Sequence, residues 1–523
     1  MGIPSGDALS ICPIPLARAA FARYALPRWY GANTDDPAAA LDRDSERGEG
    51  VSTLATVQGE ATGASVRPVA RGALAALGLG GVVAWVAAVV LARAGTNPLY
   101  AYNGAFAVAF VLYLAAAALV VAGRVPARRG TLALILALAV LPRLILLAST
   151  PALSDDLYRY IWDGKVSAAG IDPYRYAPAD PALAPLRDGL WVPINQKGQH
   201  TPYPPFAQLV FAATDQLAPD SLKAQQIVAV LADLLAIGAL LWLLARLGLP
   251  RERVLLYAWS PTPILHFAHS AHNDAIMIAA FVAALALAVG SGGEATARRI
   301  GGGVLLAVAT LTKLVPLLLV APLLRRWRAP GLLAFACALL LGVAPFFGSG
   351  AAALTGLGTE AGESSFNDSI HLVLIRLLDR VTTAPELVAS LLTILGLGGT
   401  ALALLARGGD DLALVRGCGA LLALAILCNA VVEPWYLAWL LPFVALFLRR
   451  GNGAFPFALT PLLGWLWISG AIQLTDLTYL HPANVRAWPI IRAIEYGPLF
   501  VLLVKAALDL ARERRKRRAA GTH

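Results

Sequence analysis

The sequence predicts an all-α protein that crosses a membrane many times. Of its 523 residues, 58% are hydrophobic and 14% are charged, and the mean hydropathy is +0.66. Soluble domains typically have roughly 45–50% apolar and about 25% charged residues. The hydrophobic residues occur in long runs, and Lys and Arg collect in short segments between the runs. This alternation is typical of consecutive transmembrane helices with basic cytoplasmic loops.

The apolar runs define the predicted membrane spans. Because a bilayer core is about 30 Å thick, each spanning helix needs about 20 apolar residues. The windows that approach this requirement are 72–93, 104–123, 131–149, 223–246, 253–270, 273–290, 301–324, 331–348, 386–406, 411–430, 434–448, 455–473 and 489–508. Together they predict about 12–14 crossings or half-crossings, with both chain ends in the cytosol.

The spans divide the chain into three parts. Residues 1–70 are mostly polar or small and contain acidic clusters, so we predict a disordered cytosolic extension, with a weak helix near 16–24 as the alternative. Residues 71–508 form the membrane domain. Residues 509–523 are a basic cytosolic tail, which is expected to keep the topology and to attract anionic membrane lipids.

The basic runs also test the topology. Three spans deliver the polar loop 150–205 to the outer face, and most later basic runs then fall in the cytosol. A single crossing at 301–324 would put Arg325, Arg326 and Arg328 outside, whereas two short arms bent near Lys313 and Pro316 keep them inside. We therefore expect Lys313 at the outer apex of a broken helix. There it could meet a lipid phosphate or extend to the interface as a snorkelling lysine.

Several function classes are not supported. The net charge of +10 is not spread along one face, so it does not indicate nucleic-acid binding. The four cysteines are scattered, which predicts neither a disulfide framework nor a thiolate metal site. His266, His269 and His272 recur every third residue, but they fan over a wide helical arc, so we do not expect a metal site. No glycine-rich phosphate loop points to nucleotide use.

The predicted outer loop carries the strongest chemical signal, the adjacent acids Asp155 and Asp156. Two neighbouring carboxylates at a membrane boundary are rarely there for packing, although Asp155 could also cap a following helix. The loop is rich in Tyr, Trp and Asp, which suit sugar binding, while interfacial anchoring is the alternative for the aromatic residues. Tyr203 then opens an apolar stretch too short to span, which predicts an interfacial helix.

The order and membrane placement of several motifs resemble a known family. The motifs are 154–164 (SDDLYRYIWDG), 169–176 (AGIDPYRY), 203–205 (YPP), 272–275 (HNDA), 311–313 (LTK) and 366–369 (FNDS). Together they resemble the GT-C superfamily of integral-membrane glycosyltransferases, and within it the bacterial polyprenyl-phosphate-mannose-dependent alpha-mannosyltransferases and their family 87-like relatives. The resemblance covers about residues 72–508.

The resemblance implies an enzyme with the GT-C fold in the bacterial cytoplasmic membrane. It implies inverting transfer of a hexose, most simply mannose, from a polyprenyl-phosphate donor to a hydroxyl of a glycolipid or glycan acceptor at the outer face. Asp155 is then the expected general base, with Asp156 as the second candidate or as an orienting group. We expect no cofactor, although some relatives with pyrophosphate donors hold a divalent metal ion on the loop acid.

The remaining candidate residues follow from these expectations. The charge of the leaving phosphate would be met by cations near the predicted outer boundary, namely Lys313, His272, Arg159 and Arg143. The candidates for substrate contact are Tyr158, Tyr203, Asn273, Asp274, Asn367, Asp368 and Glu433. Helix capping and loop solvation are the alternatives for Asn367 and Asp368. A lipid-linked-sugar flippase or transporter is the competing class, but its charges would lie near mid-bilayer in repeated halves.

Overall fold

The computed structural model describes residues 53–290, 295–350, 366–452, 455–480 and 488–519. The main helices are α1 Thr53–Arg93, α2 Pro98–Val121, α3 Arg129–Leu147, α4 Asp156–Ala168, α5 Pro205–Leu217, α6 Leu222–Arg246, α7 Asp274–Ala288, α8 Ala295–Thr312, α9 Val320–Val343, α10 Ile370–Leu378, α11 Pro385–Arg407, α12 Asp411–Leu427, α13 Leu441–Phe447, α14 Pro461–Ala471 and α15 Trp488–Ala519. The described residues contain no strand beyond isolated bridges, so the predicted all-α class is confirmed.

Six helices in the described ranges are long and apolar enough to cross a membrane. They are Ala70–Arg93, Pro98–Val121, Arg129–Leu147, Leu222–Arg246, Val315–Ser349 and Pro385–Arg407. Two shorter apolar segments, Asp274–Ala288 and Pro434–Phe447, add to them. The chain is therefore a multi-pass membrane protein, while the total of about 12–14 crossings stays a prediction.

The N-terminal boundary differs from the prediction. Helix α1 begins at Thr53, so its first part overlaps the segment 1–70 that was predicted to be disordered. A helix extends easily beyond an apolar span, because propagation adds one hydrogen bond per residue without a new nucleus. Residues 1–52 and the end of the basic tail, 520–523, lie outside the described residues.

The predicted span 253–270 is not one helix. The chain instead forms a 3-10 turn at Arg251–Val254, a short helix at Leu255–Ala258, a turn at Pro261–Pro263 and a π-helical turn at Ile264–His269. Pro261 and Pro263 lack the N–H groups that a continuous helix needs. Irregular backbone at membrane depth is tolerated only inside the protein, and nearly all of this segment is buried.

Two spans predicted near the C-terminus are also not continuous helices. The span predicted at 434–448 is a 3-10 helix, Pro434–Leu440, that continues into the short helix α13. The span predicted at 455–473 contains only the 11-residue helix α14. Prolines at 434, 442 and 461 stand at or near the start of these three elements, where proline is best tolerated.

The predicted bend near Lys313 is confirmed. Helix α8 ends at Thr312, and a 3-10 turn, Val315–Leu319, leads into α9. A second break follows at Arg328, whose backbone is non-helical with φ 53°. Gly303 packs against the carbonyl of Gly331, and Gly342 packs against Leu311. The second half of α9 therefore runs parallel to α8, which requires the chain to reverse twice between them.

The loop 150–205 folds into a compact layer on one end of the bundle. Helices α4 and α5 pack together through the ring of Tyr160, which stacks on Phe211 with centroids 4.6 Å apart. Gly164 is required there, because a Cβ atom would lie 2.5 Å from the carbonyl oxygen of Phe211. The loop contacts the 3-10 turn Ala344–Ser349, which follows α9, through Tyr174, whose ring packs edge to face against Phe346. The helix α5 confirms the short helix predicted after Tyr203.

Candidate active site

The π-helical turn Ile264–His269 is followed by residues with an unusual backbone conformation beside the loop 150–205. Ala271 follows it with φ 61°, a left-handed conformation that non-glycine residues rarely adopt, and is 1% exposed. The next three residues are His272, Asn273 and Asp274, and Asp274 begins α7. Strained backbone and π-helical turns both concentrate at functional sites. This geometry presents three polar side chains at the loop end of the bundle.

The acids of the loop meet this turn. Asp155 occupies the N-cap position of α4 and Asp156 is its first residue. An oxygen of Asp156 lies 3.5 Å from Nδ1 of His272, a distance at which charges interact but a regular hydrogen bond is not formed. Asp155 accepts a hydrogen bond of 2.9 Å from the amide of Asn195. The side chain of Asp155 does not cap α4, so helix capping does not explain this residue.

His272 is held by an aromatic ring rather than by hydrogen bonds. Its imidazole is fully buried and stacks on Trp435 with ring centroids 3.6 Å apart. Neither ring nitrogen has a hydrogen-bond partner among the described residues. A buried polar group without a partner costs about 1–3 kcal/mol. A bound substrate could supply the missing hydrogen bond, so His272 is a candidate for substrate contact.

Lys313 reaches the same region from the break after α8. Its Nζ lies 3.0 Å from Asp274, which also accepts a hydrogen bond of 2.7 Å from Trp439. The ammonium stands over the ring of Tyr436, 4.0 Å from the centroid. Its side chain is still 25% exposed. An ammonium has three donors, so it can bind an anion while it keeps Asp274.

The two loop acids differ in their pKa. Burial and the charge of Asp156 raise the pKa of Asp155 above its usual value, against the smaller effect of the Asn195 hydrogen bond. Burial alone would also raise the pKa of Asp156, but His272 and Lys313 outweigh it and lower that pKa. Asp156 is therefore the more firmly ionised carboxylate, and Asp155 is the better proton acceptor.

A second group of polar residues, Asn367, Asp368 and Glu433, lies next to the cluster of Asp155, Asp156, His272 and Lys313. The backbone of Phe366 pairs with Ala430 and Val432, which places Asn367 and Asp368 beside the turn that contains Glu433 and Trp435. Asn367 is fully buried with φ 49°, and its side-chain amide has no hydrogen-bond partner within the described ranges.

Asp368 forms an ion pair with Arg492, a residue of α15. This carboxylate is 1% exposed and lies 3.2 Å from Arg492. One turn further along α15, Glu495 accepts a hydrogen bond from Thr475 at 2.7 Å. Segments far apart in sequence therefore complete this second polar group.

Four predicted site residues are not brought into the cluster. Arg143 is fully buried between helices and pairs with Asp233 at 2.6 Å. Arg159 pairs with Asp163 at 2.9 Å inside the loop. Tyr158 packs against the loop core, and Tyr203 packs edge to face against Tyr160 and Phe211. These contacts give the four side chains structural roles in the helices or the loop.

The other two histidines are engaged separately. Nδ1 of His269 lies 2.9 Å from the hydroxyl of Ser149, and Nε2 of His266 lies 3.0 Å from the amide oxygen of Gln473. No group of three potential metal ligands was found in the described part of the chain. The three histidines therefore have three different environments.

Sequence reasoning missed several residues of the site. They are Asn195, Trp439 and Arg492, which contact Asp155, Asp274 and Asp368 respectively. Trp435 and Tyr436 lie in the same turn as the predicted Glu433, and their rings contact His272 and Lys313. The signal that could have identified its aromatic residues is their density next to Glu433, since rings beside a buried cation or histidine are common partners.

The fold and the cluster define a class, the polytopic all-α membrane proteins with a charged, partly exposed site at one end of the helices. Within that class, the family model described as "Alpha-(1->6)-mannopyranosyltransferase, N-terminal domain" (the MptA/B family) matches residues 55–328. The chain belongs to this family. The match contains the loop acids, the turn at His272 and Lys313, and it ends at the break in α9.

Two curated relatives support the assignment. An alpha-(1->6)-mannopyranosyltransferase of Mycobacterium tuberculosis is 28% identical over 138 residues, which are 25% of this chain and 23% of the relative. Alpha-(1->6)-mannopyranosyltransferase B of Corynebacterium glutamicum is 26% identical over 147 residues, 27% of this chain and 24% of the relative. The aligned region thus spans about a quarter of each relative's length.

Proposed function

We propose that the protein is an inverting mannosyltransferase that uses a polyprenyl-phosphate-linked sugar as its donor. The acceptor is a hydroxyl of a glycolipid or glycan at the outer face of the bacterial cytoplasmic membrane. The observation that carries the proposal is the meeting of Asp156, His272 and Lys313, which come from three distant parts of the chain. The family and its curated relatives support mannose as the sugar.

In this proposal the carboxylate of Asp155 takes the proton of the acceptor hydroxyl. The acceptor oxygen then attacks the anomeric carbon, and the bond from that carbon to the phosphate oxygen breaks with its electron pair on the phosphate. Lys313 and His272 are placed to stabilise the charge that develops there. Asp156, held ionised, orients His272 and raises the pKa of Asp155. No step requires a metal ion or a cofactor.

The second polar group is suited to the acceptor. Asn367 offers an amide without a partner among the described residues, and Asp368, ion-paired with Arg492, lies next to it. Both lie beside Glu433 and the Trp435 ring that covers His272. A hydroxyl-rich acceptor could therefore be bound next to the proposed base while the donor phosphate lies near Lys313.

A donor comparison tests the reaction. Membranes containing the protein are incubated with radiolabelled polyprenyl-phosphate-mannose or with GDP-mannose, and labelled glycan products are separated. We expect transfer only from the lipid-linked donor, because the described residues show no nucleotide-binding glycine loop. Equal transfer from GDP-mannose, in membranes unable to make the lipid donor, would contradict the proposed donor class. Movement of intact lipid-linked sugar across the bilayer without transfer would instead support a flippase.

The pKa difference between the acids predicts a pH dependence. Asp155 works as a base only when ionised, so activity is present above its raised pKa and is lost as the pH falls through that pKa. The acidic limb of kcat/KM should therefore lie above the usual aspartate value of about 3.9. Replacing Asp156 by Asn removes the neighbouring charge and should move the limb of the residual activity to lower pH. A limb that stays in place or moves to higher pH would contradict the assignment.

A further inference from the structure

A large cavity lies away from the candidate active site. It has a volume of about 770 Å³ and lies among α12, α13, α14, α15 and the segments 448–452 and 455–460, within the roughly 300–1,000 Å³ typical of ligand sites. Most of its lining is apolar. Its charged lining residues are five cations and one carboxylate, namely Arg253, Arg416, Arg449, Arg450, Lys505 and Asp509.

The cavity lies at the opposite membrane face from the loop acids. Helix α6 starts at the loop end, where Lys223 donates to the backbone carbonyl of Ser149 at 2.9 Å. The helix has 25 residues and ends at Arg246, about 36 Å from its start at 1.5 Å per residue. Arg253, in the turn that follows, lines the cavity. The positive-inside rule predicts that this face is cytoplasmic.

The cations have defined positions at the cavity. Arg253 donates to the carbonyls of Ala445 and Leu448, each at 2.6 Å, which fixes its guanidinium. Arg416 lies over the ring of Phe447, 5.1 Å from its centroid. Arg450 is exposed, and Lys505 pairs with Asp509 at 2.6 Å. The described lining residues thus contribute five cations and one carboxylate, an excess of positive charge among these side chains.

The apolar part of the cavity has exposed side chains at its edge. Phe455 and Leu459 line it, and each is 52% exposed. These exposed apolar side chains give the cavity an apolar edge that an acyl chain can contact. The combination of a cationic region and an apolar edge matches an amphiphile with an anionic head.

We propose that this cavity binds an anionic phospholipid of the leaflet opposite the active site. Its phosphate would lie near Arg450 and Lys505, with Arg416 and Arg449 at the same cavity, and an acyl chain would follow the apolar wall past Phe455. Charge complementarity selects this occupant over a neutral lipid. The site is independent of the proposed reaction, since it uses none of the residues assigned to transfer.

Lipid binding to the purified full-length chain tests the proposal. Protein in a neutral detergent is titrated with dioleoyl phosphatidylglycerol or dioleoyl phosphatidylcholine, and retained lipid is measured by native mass spectrometry. Phosphatidylglycerol should bind at least about tenfold more tightly, because nearby cations attract its anionic head group and not the neutral one. The double variant Arg450→Gln/Lys505→Gln should lose about tenfold or more of that binding for the same reason.

Two controls make the test decisive. The variant Arg128→Gln/Arg129→Gln removes two cations at the start of α3, on the same face but outside the cavity, and should bind phosphatidylglycerol like the unmodified protein. The variant Ala423→Trp fills the cavity without changing charge and should also weaken binding. Equal binding of both lipids, or unchanged binding in both cavity variants, would overturn the proposal. Displacement of the lipid by millimolar inorganic phosphate would also overturn it, in favour of a simple phosphate site.

Discussion

Replacement of Asp155 by asparagine is expected to lower the rate of mannosyl transfer by about 10²–10⁴-fold, the range for loss of a general base. Asparagine keeps the size of the side chain and can still pair with Asn195, but it cannot accept the acceptor's proton. The initial rate of transfer from radiolabelled polyprenyl-phosphate-mannose is the measurement. KM for the donor should change little, because the assigned phosphate contacts are Lys313 and His272.

The loop offers a matched control for this variant. Asp188 is also an aspartate of the loop 150–205, but it pairs with Lys165 at 2.5 Å and is 37% exposed. Asp188→Asn should keep transfer within a few-fold of the unmodified rate, since surface ion pairs contribute only about 0–1 kcal/mol. A large loss in Asp188→Asn, equal to that in Asp155→Asn, would show that both substitutions act by disturbing the loop.

Replacement of Arg143 by methionine is expected to destabilise the protein by about 3–5 kcal/mol, the range for breaking a buried ion pair from one side. Arg143 and Asp233 are fully buried and 2.6 Å apart, and Asp233 also accepts a hydrogen bond of 2.7 Å from Tyr257. In this variant the buried Asp233 carboxylate, between helices α3 and α6, would keep only the neutral Tyr257 hydroxyl as a hydrogen-bond donor. Unfolding of the purified protein in detergent measures the loss.

The double variant Arg143→Met/Asp233→Leu separates the ion pair from packing. Apolar replacement of both partners is often neutral, so this variant should recover most of the lost stability. If the single variant unfolds like the unmodified protein, the pair does not stabilise the helices. The role of Arg143 as a phosphate contact would then have to be reconsidered.

Local pattern was sufficient for much of the architecture. The apolar windows predicted most long helices, because a membrane span is specified by length and hydrophobicity alone. The charge rule also predicted the reversal near Lys313, since three arginines after it had to stay on one side. The prediction of one helix at 253–270 was wrong because an apolar composition is equally compatible with a helix and with buried irregular backbone. Only the prolines at 261 and 263 indicated the irregular backbone.

Part of the candidate site could also be predicted from the sequence. Asp155, Asp156, His272 and Lys313 could be selected because charged groups at a membrane boundary are costly. Their partners could not, because the stack of Trp435 on His272 joins positions 163 apart in the chain. Arg143 was misplaced although a signal existed. An intramembrane arginine requires a partner, and Asp233 lies in the next long span.

The most direct test of the account uses the double variant Asp155→Asn/Asp156→Asn of the purified, reconstituted protein. Binding of polyprenyl-phosphate-mannose, followed by native mass spectrometry, and a single turnover to a glycan acceptor are measured on the same sample. The account predicts that the donor still binds while the labelled sugar is not transferred. Transfer at the unmodified rate by this variant would contradict the assignment of the loop acids and of the site built around them.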